Sequence, residues 1–256
     1  MTRSEMSPCI PVIDGFEFFV AVCPFCEVAG GFYQFTLVNE DKLAIGICDF
    51  VGSMHPHFDS FISKLSSEMK DAILTIHDPA HILEHLDAVF TPILRHPDPL
   101  AFRMVMVSLA ILDIRDGSMI LTKGGQPDMV IRRADGSLEF PDRDIKGRLI
   151  GLVDGKELSK AEFYFENRTV QLNPGDVAIY CNEGLIEAKD IHNKSFVGCD
   201  DLRTFGEVVA RNDGGPKAIG DAVMKRLREF TAGALQDDDM TFICFGPRPD
   251  FRPATT

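Results

Sequence analysis

The apolar stretches of this chain come mostly as short segments in pairs, joined by tight polar turns. Phe16 to Val22 and Phe32 to Val38 are rich in aromatic and β-branched residues. Lys42 to Asp49 alternates, with Leu43, Ile45 and Ile47 on one face, and Asn39-Glu40-Asp41 is the turn before it. Met104 to Leu112 is too apolar for an edge and reads as a central strand, and Arg115-Asp116-Gly117 turns it into Ser118 to Lys123. Further strands are predicted at Met129 to Arg133, Leu138 to Phe140, Ala161 to Asn167, Val170 to Leu172, Asp176 to Cys181 and Met240 to Gly246. Tight hairpins build antiparallel sheets, whereas a doubly wound parallel sheet needs a long crossover between strands.

The helices also come in pairs. Phe58, Phe61, Ile62, Leu65, Met69, Ile73 and Ile76 follow helical spacing, so Pro56 to Ile76 is predicted as a long amphipathic helix. Pro79 starts a second helix that ends before Pro97. Asp200 to Arg211 is a third, and Pro216 opens a fourth with Ile219, Val223, Leu227 and Phe230 on one stripe. No repeat or linker divides the sequence, so one domain is expected over 1–256, with a core of about 12–247. The fold class expected is α+β, antiparallel sheets covered by helices.

Composition narrows the function. The net charge of −13 argues against nucleic acid as partner, because phosphate repels such a surface. Any phosphate handled here is expected to meet a bound cation rather than a basic patch. The longest apolar run, Met104 to Leu112 around Ser108, is too short to span a bilayer, and no apolar signal follows the polar N-terminus. An odd seven cysteines without a secretion signal point to reduced thiols and a cytoplasmic location.

Four scattered segments end probable strands with an acid, or with a gap where one would stand: Glu27 to Phe35, Gly46 to Gly52, Tyr180 to Ala188 and Asp237 to Thr241. Carboxylates distant in sequence can converge at strand ends on one hard cation, and oxygen-only ligand sets select magnesium, manganese or calcium.

Ile13-Asp14-Gly15-Phe16-Glu17 and then Glu27 to Phe35 resemble the opening of the SpoIIE/RsbU-type branch of metal-dependent (PPM-type) serine/threonine phosphatases, whose pattern there is E-V-G-G-D-F-Y-D-F. Asp49-Phe50-Val51-Gly52, with Pro56 after it, is similar to D-V-S-G-K-G-x-P. Thr122 to Pro127 with Arg133 to Gly136 resembles A-G-H-x-P and R-A-D-G, and Leu149 to Leu152 resembles P-L-G-L. Pro174-Gly175-Asp176 through Ala188 resembles P-G-D…T-D-G-x-x-E-A, and Asp238 to Thr241 resembles D-D-I-T. Each match is weak alone, but the ordered set is specific. The resemblance implies a four-layer αββα sandwich, two antiparallel sheets between helix pairs, with metals at one end of the sheets.

The departures from the pattern are as informative. The D of G-G-D falls on Gly31, the second D of that motif on Gln34, and the D of T-D-G on Glu183. Asp49 and Asp238 are intact. The resemblance therefore implies a site of Asp49, Glu183 and Asp238, with the backbone carbonyl of Phe50 assisting a second metal. One Mn2+ or Mg2+ is expected, and the second site is expected to be weak or absent. The implied chemistry is in-line attack of a metal-activated water on phosphorus. Two functions stay open: a slow phosphatase for phosphoserine or phosphothreonine on a STAS-domain regulator, or a pseudophosphatase that binds the phosphorylated partner. No sensor segment is evident, so regulation is expected from a partner, from self-association as a homodimer, or from the helix Pro56 to Ile76.

Other motifs have plainer readings. His81-Ile82-Leu83-Glu84-His85 fits H-x-x-E-H, but two surface histidines on a covering helix explain it better than zinc. Cys23-Pro24-Phe25-Cys26 lacks the second pair of a structural zinc site. Gly30-Gly31 reads as a tight hairpin entry. Lys123, Arg132 and Arg133 are expected to be solvated.

Overall fold

In the computed structural model of the chain, residues 10–25, 30–51, 58–94, 104–152, 165–197 and 203–254 are described. Ten strands form two five-stranded sheets among these residues. The first sheet has the order β1 (Phe16–Cys23), β10 (Met240–Pro247), β9 (Val177–Cys181), β6 (Val130–Arg132), β7 (Leu138–Glu139). The second has the order β2 (Gly31–Leu37), β3 (Lys42–Val51), β4 (Met104–Asp113), β5 (Ser118–Gly124), β8 (Arg168–Gln171). Every ladder is antiparallel, as the hairpin pattern requires.

Three apolar layers hold the sandwich together. Between the sheets lie Leu43, Ile45, Ile47, Leu121, Tyr180 and Phe245. Outside the second sheet, α1 (Phe58–Ile76) and α2 (Pro79–Leu94) cover it with Leu65, Met69, Leu83 and Phe90. Outside the first sheet, α4 (Arg203–Ala210) and α5 (Pro216–Phe230) contribute Phe205, Val209, Ile219 and Val223. The ring of Phe19 on β1 fills the space a Cβ at Gly220 would need, so α5 lies close against that strand. This is the four-layer arrangement the resemblance implies. A short α3 (Glu183–Ile186) follows β9 and was not expected.

Most elements agree with the sequence reading. The predicted start of the first helix, Pro56, lies outside the described residues. Of the strand expected at Ala161 to Asn167, residues 161–164 also lie outside them, and Phe165 to Asn167 are not a strand. Their polar groups are used elsewhere: Glu166 accepts from Lys146 N, and Asn167 accepts from Ala80 N in the first turn of α2.

The three basic residues expected to be solvated are not. Arg132 is buried, Arg133 pairs with Asp176 and Glu139, and Lys123 pairs with Asp128. Lys123 Nζ also lies 4.0 Å from Asp142, a fully buried carboxylate that accepts from Met129 N at 2.9 Å. The Asp142 Oδ2 that faces Lys123 has no hydrogen-bond partner among the described residues. Burial pushes Asp142 up to about 6, while Lys123 pulls it back down and Asp128 adds to the rise. An acid whose pKa is raised by folding binds its proton more tightly in the native state. Its contribution is therefore most favourable below the unfolded value and is lost as pH rises through about 6. Asp142→Asn is expected to stabilise the fold at pH 8 by about 1–2 kcal/mol and to lose that advantage at pH 4. Urea unfolding at the two pH values checks this, and a gain that is independent of pH contradicts it.

Candidate functional site

One end of the sandwich gathers the C-terminal ends of β3 and β9 and the N-terminal ends of β2 and β10. Asp49, near the end of β3, is 4% exposed. Its Oδ2 accepts a 2.9 Å hydrogen bond from Asn182 Nδ2, which ties the two sheets together. Burial pushes the Asp49 carboxyl up to about 7; the Asn182 hydrogen bond lowers it and the charge of Asp238 raises it.

Asn182 organises this end. It caps α3 by accepting from Leu185 N at 3.2 Å, and the same oxygen accepts from Thr241 N at 2.9 Å. Its amide donates to Asp49 and to Asp239 O, the latter at 2.7 Å. Asp239 is itself buried, and its two carboxylate oxygens accept from Phe25 N and Gly30 N, fixing the segments before and after residues 26–29. Sequence reasoning missed Asn182 and Asp239 as structural keys. The signal for Asn182 was present: an Asn between an apolar strand and Glu-Gly is a preferred helix N-cap.

Glu183 and Asp238 are exposed beside this buried network. Desolvation raises Glu183, and the charges of Glu187 and Asp238 raise it further. Asp238 is raised by desolvation, lowered by the Asp239 N–H, and raised by its acidic neighbours Asp239, Asp237 and Glu187. Asp49 and Glu183 thus each feel Asp238, so the three predicted acids do share one pole of the molecule. They are not gathered into a coordination group: among the described residues, no three His, Cys, Asp or Glu side chains stand ready to hold a metal. Phe50, the fourth predicted ligand, lies inside β3 opposite Val105 with its ring against Phe61. In chemistry the acids suit a hard cation, because all three offer oxygen and the charge of Asp238 raises both Asp49 and Glu183.

Gly31 stands opposite Asp49 in the β2–β3 register. A Cβ built there would lie 2.6 Å from Cys48 O and 3.1 Å from Asp49 Oδ1. The strands have closed over the place where the family's first carboxylate would begin. Gly31→Asp is therefore expected to cost about 1–3 kcal/mol from strand displacement, read as a lower denaturation midpoint. An undiminished midpoint contradicts this tight register.

The plainer readings of the other motifs also find their places. His85 bonds Glu68 on α1 at 2.8 Å, while His81 faces Asp78. Cys23 ends β1, and Cys26 lies outside the described residues. Burial raises the thiols of Cys48, Cys181 and Cys244, which keeps them protonated and poorly nucleophilic.

The sandwich has the fold of solved PP2C phosphatase domains. The family model of stage II sporulation protein E (SpoIIE) matches residues 39–247, so the chain belongs to the SpoIIE family. No curated protein sequence matches the chain. Among solved structures, it is similar to the RsbU and RsbW domains of Rv1364c from Mycobacterium tuberculosis, at 18% identity and a TM-score of 0.71, covering 94% of this chain and 62% of that one. It is also similar to the PP2C domain and regulatory fragment of SpoIIE from Bacillus subtilis, at 19% and 0.70, covering 91% and 64%. The SiaA-PP2C domain of Pseudomonas aeruginosa gives 19% and 0.69, covering 90% and 85%. The chain thus spans less than two thirds of the first two structures. Among these neighbours, RsbX was solved in complex with magnesium.

Proposed function

We propose that this domain slowly removes phosphate from phosphoserine or phosphothreonine of a regulatory protein, with one Mn2+ or Mg2+ as cofactor. The observation that carries the proposal is the buried Asp49 carboxylate, held by Asn182 where the sheets meet and coupled in charge to Asp238. Asp49, Asp238 and Glu183 would hold the cation, which when bound supplies Lewis acidity and a hydroxide at neutral pH. Asn182 fixes the Asp49 side chain in one orientation. Glu183 carries its carboxylate one methylene further out than an Asp would, a displacement on the order of 1 Å that can cost about 10²-fold in rate. A STAS-domain protein is proposed as substrate, with family membership and the likeness to RsbU as support.

A second reading, a pseudophosphatase that binds the phosphoprotein without turnover, is favoured by Gly31, which removes a carboxylate and leaves no room to regain it. Hydrolysis of a phosphoserine-bearing STAS domain across a manganese series separates the two. Turnover that is lost in Asp49→Asn supports the phosphatase. Tight binding without turnover at any manganese concentration supports the second reading.

A further inference from the structure

A cavity of about 430 Å3 opens at the acid pole, beside the candidate site. Asp238 stands on its wall, so the cavity begins where the proposed cation would be held. Two segments build most of the wall: α3 with the residues just after it, and the stretch between α5 and β10. Phe25, Ala188, Ala234, Leu235 and Met240 give it an apolar side.

Leu235 is the unusual member. It is 93% exposed, yet its segment is tied down on both sides. Gln236 Nε2 donates to Cys23 O at 2.7 Å and to Asp238 O at 2.8 Å, and Ala234 N donates to Thr231 O at 2.9 Å. The leucine is therefore held in water at a fixed place. Phe25 is exposed on the same cavity, and Ile191, also exposed, borders this segment: a Cβ built at Gly233 would lie 3.5 Å from its Cγ2. Single exposed apolar residues are ordinary, but a group of them rimming a cavity marks a binding surface. Charge narrows what can bind. Lys189 is the cation on the wall, and Asp237 takes it at 2.7 Å, while Asp238 adds a further acid. The cavity therefore repels an acidic side chain and offers cover to an apolar one. Position narrows it further. A phosphoprotein that brings its phosphate to Asp49, Glu183 and Asp238 lays its adjoining chain along this rim. An extended chain advances roughly 3.3 Å per residue, so the first two neighbours of the phosphoresidue are the ones in reach.

Resting on the function proposed above, we propose that this cavity docks a large aliphatic or aromatic side chain lying within two residues of the phosphoserine or phosphothreonine of the partner protein, with Leu235 and Phe25 as the specificity-determining contacts. The test is fluorescence anisotropy of the full chain in manganese, read before hydrolysis, with labelled nine-residue peptides. Each carries a central phosphoserine, and the four positions nearest it are either all Leu or all Ser. Unphosphorylated copies of both are run beside them. The Leu peptide is expected to bind about tenfold tighter than the Ser peptide. Leu235→Ser and Phe25→Ser, each checked for a cooperative melt, are expected to cut that preference to about twofold or less. Leu37→Ser, at an exposed leucine on the far end of β2, is expected to keep it. Equal affinity for the two peptides, a preference that survives Leu235→Ser, or one that Leu37→Ser also abolishes would overturn the docking proposal, and the phosphoprotein reading would stand wherever phosphorylation tightens binding. A Leu preference that depends on Leu235 but gains nothing from phosphorylation would support the apolar dock and overturn the phosphoprotein reading. Binding by none of the peptides would overturn both.

Discussion

Asp49→Asn, in chelator-treated protein at pH 8, is expected to melt higher than the parent while losing manganese-dependent turnover by at least about 10²-fold. The two effects share one cause. Asp49 is a carboxylate taken out of water at the junction of two sheets, with more acids than bases around it. Desolvating a charge without a counter-charge destabilises the fold. The amide keeps the shape and can still accept from Asn182 through its oxygen. The removed charge is expected to be worth about 1–3 kcal/mol. For a chain of this size that is a rise of roughly 2–4 °C per kcal/mol. On the proposed function the same exchange removes a charge that holds the cation, so stability and activity are expected to move in opposite directions. Differential scanning calorimetry with a parallel phosphatase assay reads both. A variant that melts lower and keeps its turnover would mean that Asp49 is structural.

Asn182→Ala is expected to be the most damaging single change at this end. The side chain makes four hydrogen bonds, to Asp49, Asp239 O, Leu185 N and Thr241 N. It is 2% exposed, so water cannot replace them without rearrangement. The truncation leaves a buried carboxylate, a backbone carbonyl and two N–H groups short of partners, and it uncaps α3. Even partial relaxation leaves a cost of about 3–5 kcal/mol. Asn182→Thr, which restores the residue the family pattern has here, keeps a hydroxyl for part of the network and is expected to cost about half as much. Urea denaturation of the two variants checks the order. Equal midpoints for Ala, Thr and the parent would contradict the role given to this amide.

The sandwich was legible in the sequence because hairpins and helical stripes are local signals. Leu43, Ile45 and Ile47 face the inter-sheet core as their alternation requires, and Leu65, Met69 and Ile73 face the second sheet as their spacing requires. Ala161 to Asn167 misled because strand-like composition cannot show that Glu166 and Asn167 are committed to other segments. Arg132 misled for a similar reason: a short hairpin next to Ala-Asp-Gly looks solvated, and its burial comes from packing against β9. At the site, the ordered motifs named Asp49, Glu183 and Asp238, and the structure brings all three to one pole. The network beneath them was not legible, because Asn182 and Asp239 act through bonds to segments distant in sequence. The loss at Gly31 could be read as a missing letter. That the strands have also closed over it could not.

The central claim is that Asp49, Glu183 and Asp238 share one divalent ion. Calorimetric titration of manganese into the full chain, alongside Asp238→Asn and Glu183→Gln, tests it most directly. The account predicts one equivalent bound, with affinity falling at least tenfold in each variant. Two equivalents, or binding that neither substitution alters, would contradict it.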